Sequence, residues 1–148
     1  TFDALNRLDT LTFPDGLGNQ DWDYTPDGLP SNVTTQNAGG VSVTNLYQYN
    51  RLRKIRLERT GQSDGPLWEL TYDYTSLGHL AGHTYPSGRT VSYSPNALGQ
   101  VTRAGDFATG VSYWPNGAIK GFTYGNEIVH SAGQNLRGLP EARRDAFG

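Results

Sequence analysis

Tyr74-Thr75-Ser76-Leu77-Gly78-His79-Leu80 decides how the chain is read, because its pattern returns along the whole length. It lines up with Phe2-Asp3-Ala4-Leu5-Asn6-Arg7-Leu8, Tyr49-Asn50-Arg51-Leu52-Arg53-Lys54-Ile55 and Pro95-Asn96-Ala97-Leu98-Gly99-Gln100-Val101. The shared elements are an aromatic, to which Pro95 is the exception, then a polar residue, a Leu, a turn residue and an aliphatic. Tyr24-Thr25-Pro26-Asp27-Gly28 and Tyr113-Trp114-Pro115-Asn116-Gly117 are a proline-containing variant, and Gln134-Asn135-Leu136-Arg137-Gly138 is a degenerate seventh copy. With the turn residue as anchor, the copies centre on Asn6, Gly28, Arg53, Gly78, Gly99, Gly117 and Gly138, spaced by 22, 25, 25, 21, 18 and 21 residues. A period near 22 marks an array of small supersecondary units.

Gly in five of the seven anchors and Asn in another suits a turn position of positive φ; Arg53 breaks that residue rule. Four positions before the anchor stand Phe2, Tyr24, Tyr49, Tyr74 and Tyr113, and six before it stand Trp22, Tyr47, Tyr72 and Tyr93. Residues two apart share one face of a strand, so these nine form a structural aromatic ladder, with cross-strand pairs contributing roughly 0.5 to 1 kcal/mol each. A second turn, Pro-x-Gly, shows at Phe13-Pro14-Asp15-Gly16 and Tyr85-Pro86-Ser87-Gly88, and looser joints lie at Asn37-Ala38-Gly39-Gly40 and Gly61-Gln62-Ser63-Asp64-Gly65. Each unit therefore reads as strand, turn, strand, turn. Short turns force antiparallel neighbours, and the expected fold is an all-β meander of about a dozen strands of about six to eight residues, twisted into a curve.

Composition agrees. The 148 residues include 19 Gly and 8 Pro, which exclude long helices, and nine Tyr, five Phe and three Trp, which argue for folded structure. A net charge of −2 favours neither nucleic acid nor a polybasic membrane contact, and no run approaches the roughly 20 apolar residues of a spanning helix. The chain has no Cys, so disulfides and thiolate chemistry are excluded. It has no Met either, even at position 1, and it ends on Asp145-Ala146-Phe147-Gly148, an echo of Asp3-Ala4-Leu5-Asn6. The expectation is one repeat array over 1–148, excerpted from a longer chain.

The copies quoted above, with Phe122-Thr123-Tyr124-Gly125-Asn126, resemble the YD repeat of the RHS protein family of bacterial polymorphic-toxin type. Departures are Asn6 and Arg53 at the anchor, and Glu127 where a second Gly is common. The resemblance implies a secreted or cell-surface protein whose repeats wind as one β-ribbon into a hollow shell enclosing a C-terminal toxic domain. The implied partners are flanking repeats, the enclosed domain and, beyond these, secretion machinery or surface glycans. Some relatives cut themselves using aspartates in an Asp-Pro-x-Gly core; no Asp-Pro pair occurs here, so no protease residue carries over.

Nothing in the residues points to an enzyme or a cofactor. His79, His83 and His130 lack a nucleophile context, and the strand spacing of His79 and His83 is poor for one metal. Asp15, Asn19, Asp21 and Asp23 lack the Gly and Glu of a calcium loop. The basic run Arg51, Arg53, Lys54, Arg56 and Arg59 reads as a solvated strand face, with an anion contact as the alternative. A carbohydrate or cell-surface binding module is the second functional reading, with Trp68 and Trp114 as off-ladder aromatic platforms.

Overall fold

The computed structural model describes residues 1–148, all side chains except that of Ala38 included. It is all-β and antiparallel, with one short 3-10 turn at Ala38–Gly40. No helix among the described residues is long and apolar enough to cross a membrane. The chain divides into two compact units, one of Thr1–Tyr72 with Tyr85–Ser87, the other of Asp73–Thr84 with Gly88–Gly148.

In the first unit β1 (Thr10–Leu11), β2 (Asn19–Tyr24), β3 (Pro30–Gln36), β4 (Ser42–Tyr49), β5 (Ile55–Gln62) and β6 (Leu67–Tyr74, whose last two residues belong to the second unit) pair in sequence order. Register sets Trp22 opposite Val33 and Tyr47 opposite Glu58. Val33 is the buried apolar residue of this unit. The second unit holds the hairpin of β7 (Leu80–Thr84) and β8 (Thr90–Ser92), and a sheet in which β9 (Ala108–Tyr113), β10 (Ile119–Tyr124), β11 (Ile128–Gln134) and β12 (Pro140–Phe147) follow one another. Its buried side chains include Val91 and His83.

Two expectations need correction. Strands β1 and β8 are only two and three residues long, shorter than the six to eight expected. The meander is also not continuous: between β8 and β9 regular pairing stops. There Ser94 takes a left-handed φ of 43° and Pro95 has no N–H to offer. The intervening chain is held by single bonds instead, the N–H groups of Thr102 and Arg103 both reaching the Tyr93 carbonyl and that of Gly105 the Ser92 carbonyl.

Candidate functional site

The functional geometry of the chain is a turn and a clasp, each made repeatedly. At all seven anchors φ is positive, from 60° at Arg53 to 87° at Gly28. The anchor N–H donates to the carbonyl three residues earlier, at 2.8 to 3.0 Å in every copy, and that earlier residue's N–H donates to the carbonyl just past the anchor. This is a tight turn ended by a left-handed residue, the geometry that glycine reaches without cost. The ladder shifts register at the residue four before the anchor in three copies, at Tyr24, Tyr49 and Gln134, as a bulge beside such a turn requires.

A polar side chain three residues before the anchor completes the turn. The Oδ1 of Asp3, Asn50, Asn96 and Asn135 each accepts two backbone N–H groups, from the residues just before and just after the anchor. The hydroxyls of Thr25 and Thr75 accept one, from Leu29 and His79. Two acidic groups feel the turns directly. The Arg7 backbone N–H, then its guanidinium, hold the Asp3 carboxyl below its ordinary range, and the Thr25 hydroxyl does the same for Asp27.

The clasp joins one repeat to the one before it. Tyr24, Tyr49 and Tyr113 each donate the phenol hydroxyl, at 2.7 Å, to the carbonyl two residues past the preceding anchor: Leu8, Pro30 and Val101. The next anchor also packs under the residue that follows the previous one. A Cβ on Gly99 would stand 2.5 Å from Nδ1 of His79, and a Cβ on Gly28 3.6 Å from the Arg7 guanidinium. Gly99 is therefore required twice, by its φ and by the ring above it. His79 is half-buried and part of the repeat contact.

The remaining ladder residues have varied partners. Trp22 and Tyr47 line one shallow groove with Val33 and Tyr49. Tyr72 donates to Glu58 at 3.0 Å, and Tyr93 meets Nδ1 of the buried His83 at 2.9 Å. Tyr74 closes β6, whereas Phe2 is mostly exposed and enters only a backbone bridge with Leu8.

Of the two off-ladder tryptophans, Trp68 is half-exposed. Trp114 is already engaged, its indole N–H on the Ala132 carbonyl at 3.0 Å and Lys120 5.0 Å over its ring. In the basic run Arg53 pairs with Asp27 at 2.7 Å, Arg56 reaches Gln48 and Arg59 pairs with Glu69. Asp15 and Asn19 are spent on the local N–H groups of Leu17 and Phe13, and no cluster of three or more His, Cys, Asp or Glu able to hold a metal ion occurs among the described residues. Sequence reasoning missed the turn acceptors, although a polar Asp, Asn or Thr three before the anchor in six of seven copies was the available signal.

The turn and the clasp define an all-β protein built by repetition of a strand-turn-strand unit. A protein-family model, the RHS repeat, matches residues 74–111, which include Tyr74, Gly78 and Gly99. The structure of a Tc holotoxin pore from Photorhabdus luminescens superposes with a TM-score of 0.60 over 98% of the chain at 10% identity, and the chain spans 10% of that protein. No curated protein matches the chain. Residues 74–111 thus match an RHS repeat, and the likeness to the Tc holotoxin structure, at this identity, is one of fold.

Proposed function

We propose that the chain is a stretch of wall in an RHS-repeat shell that encloses a toxic domain of the same polypeptide and helps deliver it outside the producing cell. The observation that carries this reading is the clasp. At three of the six junctions an aromatic side chain that could have formed a site is spent on joining one repeat to the previous one. Flanking repeats are then the natural neighbours of the exposed apolar side chains, and the enclosed domain is the partner on the inner side.

Limited proteolysis of the intact natural polypeptide tests this. A wall keeps residues 1–148 resistant under native conditions and shields the enclosed domain until the repeats are opened by denaturant. Cleavage throughout the repeats at the rate of denatured chain, or a domain cut before the repeats open, contradicts it.

A further inference from the structure

The break between β8 and β9 leaves a cleft of about 610 Å³ in the second unit, lined by Arg89, Arg103, Asp106, Phe107, Tyr124 and Asn126 among others. It is built on a close backbone crossing, since a Cβ on Gly125 would stand 2.4 Å from the Asp106 carbonyl. Arg89 lies with its guanidinium 4.2 Å over the Phe107 ring, and no carboxylate among the described residues pairs with it. Stacking of this kind holds the planar group in place and leaves its in-plane N–H donors free for a forked contact with a carboxylate. Arg103 is fixed by its Nε and one terminal nitrogen on the Gly105 carbonyl, at 3.1 and 3.0 Å, and pairs with Asp106 at 2.9 Å. The charged groups of the cleft therefore leave one positive charge uncompensated, on Arg89. Asn126 adds an amide at its rim, and Tyr124 a phenol hydroxyl with no hydrogen-bond partner among the described residues.

We propose that this cleft binds an acidic side chain of a polypeptide, with the carboxylate on Arg89 and a second contact from Arg103. One unbalanced positive charge matches a single carboxylate. A sugar acid would need an open aromatic face to rest on. The Phe107 ring already carries Arg89, while Tyr124 packs against Phe122 at 4.7 Å and His130 at 6.4 Å. Recognition by donated N–H and O–H groups, with little stacking, is what an Asp or Glu side chain offers. The site does not depend on the shell reading: it would bind an acidic peptide whether the chain is a wall or not.

Arginine footprinting of the full chain with phenylglyoxal, read by mass spectrometry, tests it. The probe is the capped pentapeptide Ala-Ala-Glu-Ala-Ala, with its Gln counterpart and D-glucuronate as comparisons. At a peptide concentration about ten times its Kd, mass action predicts that modification of Arg89 and Arg103 slows roughly tenfold, while Arg51 is unaffected. The Gln peptide should give no protection. Arg89→Lys, which keeps the charge but removes the fork, should weaken the protection of Arg103 several-fold with an unchanged circular dichroism spectrum. Absence of protection by the Glu peptide overturns the site, and equal protection by D-glucuronate overturns its assignment to a polypeptide.

Discussion

Between one repeat and the next, a single phenol hydroxyl makes a recurring join. Tyr49 illustrates it: its O–H reaches the Pro30 carbonyl at 2.7 Å, and removing it leaves a partly buried acceptor without a partner. Tyr49→Phe should cost about 1 kcal/mol in urea denaturation, whereas Tyr124→Phe, which loses no such bond, should stay within about 0.5 kcal/mol. Equal effects would show that the clasp is incidental. Burial, and then the neighbouring Tyr47, raise the Tyr49 phenol above its ordinary value of 10.0. A raised folded value means that its stabilisation is complete below the unfolded value and is lost as pH rises through the folded one. Ultraviolet titration should accordingly show a tyrosine component that ionises later than a free phenol and vanishes in Tyr49→Phe. Spacing located these tyrosines in the sequence. It did not reveal the acceptor, because which carbonyl lies under a hydroxyl depends on the pairing of strands a repeat apart.

For the turn as an element, backbone conformation proves more uniform than residue type. Arg53 and Asn6 adopt the same left-handed anchor as the glycines, and Arg53 also sends its guanidinium to Asp27 in the previous turn. The Asn at the third position before the anchor holds two N–H groups where Thr holds one. Asn96→Ala should therefore speed amide exchange at Leu98 and Gln100 by about tenfold, and Thr75→Ala should act more weakly, at His79 alone. Unchanged exchange at Leu98 and Gln100 would contradict the assignment. The repeat, its period and its antiparallel order were legible because Gly, Tyr and the alternating aliphatics are local signals. The break after β8 was not. Pro95 stood out as an exception at an aromatic position, but the reversal of Ser94 beside it is a property of the folded backbone. The cleft was equally hidden, since Arg89, Phe107 and Tyr124 are far apart in the chain and come together only where the pairing stops.

Across the whole molecule, surface outweighs core. Val33 and Val91 are the only buried hydrophobic residues among those described, one in each unit. The accessible surface is 9954 Å². Two separate globules of half the mass would together expose about 9,000 Å². Much of the excess is apolar and sits in the turns themselves: Leu5, Leu52, Leu77, Leu98 and Leu136 are all exposed, Leu136 fully. Turn tips usually carry polar residues, so leucine in five of seven copies implies burial against something else. A wall whose neighbouring repeats provide that cover accounts for it. Light scattering of the 148-residue chain over a range of concentrations tests this account most directly. The chain should self-associate, with an apparent mass that rises with concentration above 16.2 kDa, and a monodisperse monomer of that mass at every concentration would contradict it.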